Sequence, residues 1–124
     1  MTIKISSAKA KGRNLQYWVC KKISSLLNIE YNQQDDTCEI HSREMGQHGC
    51  DIVLRGKARE LFQFDVECKS SQKWDVFNAI KQAKSNTQKN RNWLCVFKRK
   101  EISPVIMLDA DVFFSILKKG EHIE

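Results

Sequence analysis

The stretch FQFDVECK, Phe62 to Lys69, alternates apolar and polar side chains. Phe62, Phe64, Val66 and Cys68 fall on one side of an extended chain, and Gln63, Asp65, Glu67 and Lys69 on the other. A period of two commits this stretch to a half-buried strand. The polar face of such a strand is ordinarily solvated, which leaves the question of whether Glu67 and Lys69 face only water.

The flanking segments supply the partners for that strand. Leu15, Trp18, Val19, Ile23, Leu26 and Leu27 recur at helical spacing and predict a helix from about Lys11 to Leu27. The turn-rich NQQDDT follows, then a short strand over Cys38 to Ser42 and an irregular loop, REMGQHG. CDIVL and LFQFDVECK read as two extended runs joined by the polar RGKARE, a hairpin pattern. Asp75 is placed to cap a second helix with the stripe Val76, Phe77, Ile80 and Ala83. WLCVFK and PVIML read as strands. A last helix starts near Asp109 or Asp111, buries Val112, Phe113, Ile116 and Leu117, and stops before Gly120. Trp18 and Trp93 are core by periodicity. The resulting order, α-β-β-β-α-β-β-α, is an α/β sandwich with a mixed sheet. Its 124 residues form one domain, 1–124.

The chain has no run of about eighteen apolar residues, so no membrane span is expected. MTIKISSAKAKGR lacks the apolar segment of a signal peptide. The five cysteines are odd in number and include no CxxC pair, and Cys20, Cys68 and Cys95 sit in apolar periodic segments as small hydrophobes. A reducing cytoplasm is the expected compartment.

Charge is distributed unevenly. Residues 1–22 carry six bases and no acid, and residues 69–100 carry nine bases against Asp75 alone. Residues 23–68 between them hold nine acids and four bases. Two basic blocks around an acidic island suggest a polyanion partner with different chemistry at the centre. A merely solvated surface is the alternative reading.

A hairpin turning about Ala58–Arg59 sets Asp51 opposite Glu67 and Val53 opposite Asp65, with Ile52 and Leu54 on the apolar face beside Phe64 and Val66. Two carboxylates then become cross-strand neighbours. At roughly 5 Å and an effective dielectric near 20, their repulsion is on the order of 3 kcal/mol. A divalent cation reverses the sign of that interaction, and hard carboxylate oxygens suit Mg2+ or Mn2+. Lys69 lies about 7 Å further along the same face, placed to hold a water or to neutralise charge on a phosphate.

The residues G-C-D at 49–51 and E-C-K at 67–69, with fifteen residues between Asp51 and Glu67, resemble the PD-(D/E)xK nuclease superfamily. KGRNLQ before the first helix is similar to the K-G-x-x-x-E opening of archaeal-type Holliday junction resolvases and their bacteriophage relatives. IKQAKSN resembles the helix that follows ExK in that family. The likeness covers about residues 9–117. It implies a restriction-endonuclease-like three-layer sandwich and a Mg2+- or Mn2+-dependent endodeoxyribonuclease. It further implies a homodimer acting on branched or junction DNA in the cytoplasm, of a cell or of the host of a phage that encodes it, with a nicking, repair or restriction-type nuclease on duplex DNA and a non-catalytic DNA-binding module of the same fold as the alternative readings. By the same resemblance, Asp51, Glu67 and the backbone carbonyl of Cys68 hold metal. Lys69 is catalytic, and Gln82 and Gln16 support the site. Ser42 and Arg43 fall where resolvases contact phosphate. Lys11, Arg13, Lys73, Lys81 and Lys84 extend a DNA-binding surface. Two departures stand out: Gln16 occupies the place of the family's helix glutamate, with no acid before Glu30, and no Pro precedes Asp51.

Two further features have competing readings. Trp74 can stack on nucleic acid or staple the start of a helix. Cys38, His41, His48 and Cys50 bring four possible zinc ligands into thirteen residues, but their spacing is not that of a finger. His48 could also serve near the metal as an accessory base.

Overall fold

A computed structural model describes residues 3–44 and 46–121. The side chain of Lys4, from the N-terminal basic block, and the loop residue Met45 lie outside the described residues. Helix α1 spans Ile3–Leu27, and strands β1 and β2 span Ile40–Ser42 and Ile52–Leu54. Helix α2 (Gly56–Leu61) and strand β3 (Phe64–Ser70) come next, followed by α3 (Val76–Asn86). Strands β4 (Asn92–Lys98) and β5 (Val105–Leu108) and helix α4 (Ala110–Glu121) complete the order. The fold is mixed α/β. β1 and β2 form an antiparallel pair, while β3, β4 and β5 form a mixed sheet with β4 parallel to β3 and antiparallel to β5.

Strand alternation sorts the two faces of the mixed sheet. Val66, Leu94 and Val96 pack with Leu15, Val19, Cys20 and Ile23 of α1 and with Ile40, Ile52 and Leu54 of the two-stranded sheet. Cys95 and Phe97 pack instead with Ala79 and Ala83 of α3. Small residues let α3 approach the strands closely. Trp74 lies over Phe97, with ring centroids 5.2 Å apart, and donates to the Lys98 carbonyl, so it acts as a packing staple. The cysteines are all free. Burial pushes the Cys20 thiol up to about 12 and that of Cys95 to about 11, as befits small core hydrophobes.

The expected hairpin does not form. RGKARE contains α2, so β2 and β3 are not joined by a tight turn. The cause is a residue distant in sequence. Glu39 accepts from the Ala58 amide at 2.9 Å, and its backbone carbonyl accepts from Arg55 N. Its carboxylate lies so near Gly56, whose φ is +54°, that an added Cβ would meet Glu39 Oε2 at 2.6 Å. Ala58 is fully buried. β2 turns to β1, with Ser42 opposite Ile52, and β3 takes β4 as its partner, with Glu67 opposite Cys95.

Other boundaries also differ from expectation. α1 begins at Ile3 because residues 3–10 contain no helix breaker, although they carry no apolar stripe. α4 continues through Gly120. Trp18 is 38% exposed rather than core, and Trp93 is half-buried against the α3 side. Phe77 is 71% exposed, while Phe113, Ile116 and Leu117 are 44%, 46% and 48% exposed. Amphipathic spacing is present in both helices, but the rest of the described structure covers those side chains only in part.

One polar knot fixes the start of β3. Arg91 donates to Asp65 Oδ1 at 2.7 Å and to the carbonyls of Arg59, Phe62 and Phe64. The second Asp65 oxygen accepts from Gln88 N at 2.9 Å. The side chains of Arg91 and Asp65 are only 7% and 5% exposed. Removing one partner of such a pair leaves a buried charge alone, which costs about 3–5 kcal/mol. Arg91→Ala is therefore expected to lower the urea midpoint by that equivalent. A loss below about 1 kcal/mol would show that the knot does not hold the fold.

Candidate active site

Asp51 precedes β2 and is half-buried. Its amide donates to the Val66 carbonyl at 2.9 Å, the backbone link that brings the two sheets together here. Its side-chain Oδ2 accepts from Cys68 N at 2.7 Å. Asp51 thus bonds to the residues on either side of Glu67. The hairpin register was mistaken, but the carboxylate pair that it implied is present.

Glu67 is 2% exposed. Its Oε1 accepts from Asn86 Nδ2 at 2.8 Å, and its carboxyl lies beside that of Asp51. Burial pushes the Glu67 carboxyl up to about 7, and the Asp51 charge adds to the rise. The Asn86 amide and the Lys69 charge pull the other way. Burial also raises Asp51, opposed by the Cys68 amide, the bond from Glu67 and the charges of Lys69 and Arg43.

Lys69 follows on the same face of β3, and its Nζ donates to Gln82 Oε1 at 2.5 Å. Gln82 and Asn86 are four residues apart on α3 and share one helix face. One turned towards Lys69 and the other towards Glu67, they bracket the site. Asn86 escaped the sequence reading, although its spacing from Gln82 was a usable signal. It also donates to the Gly49 carbonyl at 3.4 Å.

Gln16 is buried on α1 and accepts from Ser42 Oγ at 2.5 Å. Ser42 is not a loop residue: it ends β1, is 6% exposed, and stands opposite Ile52. Arg43 bonds through its own amide to the Asp51 carbonyl at 2.8 Å and through Nε to the Cys50 carbonyl at 2.6 Å. Its guanidinium lies against Gly49, where an added Cβ would approach within 3.0 Å. Cys68 turns its side chain to the α1 core, away from the carboxylates. Lys11, Arg13, Lys73, Lys81 and Lys84 are all exposed, Lys81 beside the Phe77 ring.

The zinc quartet does not assemble among the described residues. His41 Nε2 bonds to the Asp35 carbonyl, the Cys50 thiol bonds to the Ile52 carbonyl, and His48 is exposed. Cys38 lies instead near Glu30 and Asp35. No family model, curated protein or solved structure matches the chain.

The shift at Glu67 sets a pH dependence. In metal-free protein the folded carboxyl keeps a proton that the unfolded chain has lost, so stability falls as pH rises from about 4.5 through about 7. Glu67→Gln is expected to flatten that slope and to raise the melting temperature above pH 7. Identical pH profiles for the two proteins in EDTA would contradict it.

Proposed function

We propose that the chain is a metal-dependent DNA endonuclease with a restriction-endonuclease-like fold. The observation that carries this reading is the contact between the Asp51 and Glu67 carboxylates, with Lys69 two residues further along β3. A buried acid and a half-buried one in contact are unfavourable unless a proton or a cation lies between them. Their hard oxygens fit Mg2+ or Mn2+, with the Cys68 carbonyl as a further candidate donor. Such an ion supplies Lewis acidity and a bound water of lowered pKa.

The protein side chains have separate tasks. Asp51 and Glu67 concentrate negative charge at one spot, and Asn86 and the Cys68 amide orient their oxygens. Lys69 carries a positive charge to the developing charge on the phosphate, and Gln82 holds its ammonium in place. Gln16, bonded to Ser42, supports the strand that ends beside Asp51 without adding charge. The exposed cations Lys11, Arg13, Lys73, Lys81 and Lys84 suit a nucleic-acid backbone, with Arg43 closer to the acids.

The substrate that best suits this reading is structured DNA such as a four-way junction, cut in the cytoplasm by a homodimer. Two copies are needed to cut two strands, and the exposed Phe113, Phe114, Ile116 and Leu117 of α4 are a surface on which they could meet. Among the described residues no helix is long and apolar enough to cross a membrane.

Gln16 favours a second reading, a non-catalytic DNA-binding module of the same fold, because it brings no carboxylate to a place where the resemblance expects one.

A synthetic four-way junction and a linear duplex of matched sequence, incubated with Mg2+, Mn2+ or EDTA, separate these readings. Metal-dependent nicks confined to the junction are the expected result, with Glu67→Ala and Lys69→Ala each losing about a hundredfold or more in rate. Equal cutting of both DNAs would keep the nuclease and remove the junction. Binding without cutting would favour the second reading.

A further inference from the structure

A cavity of about 440 Å³ lies between α1 and the C-terminal ends of β3 and β4. That volume is within the range of small-ligand sites, about 300–1,000 Å³. Its apolar wall is formed by Leu15, Trp18 and Pro104. Trp18 is 38% exposed although it lies on a helix whose neighbouring turns are core. Lys11, Arg99 and Lys100 stand around the same cavity, and its lining contains no acid. Among the described residues the one ion pair is that of Arg91 with Asp65, so these three cations have no carboxylate partner.

The walls are pre-formed. Ser71 N donates to the Lys98 carbonyl, and Lys100 N donates to the Gln72 side chain at 2.9 Å. The Lys98 ammonium is used within its own loop, on the carbonyls of Arg99 and Ile102. The loops after β3 and β4 are thereby tied together before any ligand arrives, which lowers the ordering cost of binding.

The Lys22 ammonium lies over the Trp18 ring, 5.3 Å from its centroid, and adds a further cation to that surface; an aromatic ring beside cations without carboxylate partners matches one ligand chemistry, a heterocyclic base that carries phosphates. Paired bases in a duplex do not offer their faces, so the base must be unpaired. The cavity also opens at Ser70, the residue after Lys69. Successive strand residues point to opposite faces, so Lys69 serves one face of β3 and the cavity lies on the other.

We propose that this cavity binds an unpaired DNA nucleotide, its base stacked on Trp18 and its phosphates held by Lys11, Arg99 and Lys100. The choice of DNA rests on the nuclease reading above; the stacking pocket itself does not.

The test is a fluorescence-anisotropy titration in EDTA at one fixed salt concentration, so that no cleavage is required. The probes are a labelled short oligothymidylate, a blunt duplex, and an RNA strand of the same length. Trp18→Ala is expected to weaken single-strand binding about tenfold. Trp18→Phe should retain most of the affinity, and duplex binding should change less than about twofold. A combined Arg99→Ala and Lys100→Ala variant should reduce single-strand affinity and its salt dependence. Thermal melts of each variant establish that the fold is retained. Unchanged single-strand affinity in folded Trp18→Ala, or equal losses for strand and duplex, would overturn the pocket. Tighter binding of RNA than of DNA would overturn the assignment to DNA. Because Glu67 and Lys69 are left intact, failure here leaves the nuclease reading standing, and loss of that reading leaves the pocket measurable.

Discussion

The buried guanidinium of Arg91 is the interaction on which most of the architecture depends. It gathers the end of α2, the first residues of β3 and the Asp65 carboxylate around one charge. The peptide nitrogen of Gln88 completes that carboxylate just after α3 ends. The crossover that leaves β3 at Ser70 and runs through α3 is thereby brought back to the sheet beside the residues where β3 begins. Phe64 pairs with Asn92 at that point, and the parallel register follows from it up to Ser70 and Lys98. Held in this way, α3 presents Asn86 and Gln82 to Glu67 and Lys69. A charge outside the candidate site thus sets the geometry within it.

The site lies where two sheets meet. The antiparallel pair contributes Asp51 and, through β1, the Ser42–Gln16 contact; the mixed sheet contributes Glu67 and Lys69. Peptide groups join them directly, Asp51 N to the Val66 carbonyl and Cys68 N to the Asp51 side chain. These bonds direct both carboxylates to one place, Glu67 buried and Asp51 half-buried. The raised affinity of Glu67 for a proton is the electrostatic result of that confinement.

How much of this was legible in the sequence depended on the range of each cause. Alternation in FQFDVECK identified β3 and its two faces, and the spacing of Asp51, Glu67 and Lys69 identified the acidic centre. Asp75 was legible as a cap because its partner, Asn78 N, is three residues away. α2 was hidden because RGKARE has no apolar stripe, and the residues that fold it, Glu39 and Arg91, act from a distance. Phe77, Phe113 and Ile116 were assigned to the core because periodicity shows that a helix has an apolar face. It does not show whether another element covers that face. Trp18 fell to the same limit, sitting just off the stripe made by Leu15, Val19 and Ile23.

Division of the carboxylates between two sheets has a consequence for how the chain closes. Each sheet carries one acid of the pair, so neither is disfavoured while it stands apart. Repulsion develops only as the sheets dock and water leaves the space between the oxygens. The electrostatic cost therefore falls on a tertiary step, and hydrogen bonding within each ladder is not affected by it. A cation that fits both oxygens would act on the same step, as a clasp across the seam. Its effect would be registered in the local opening equilibrium of the Asp51 and Cys68 amides, while helix and strand content stayed constant.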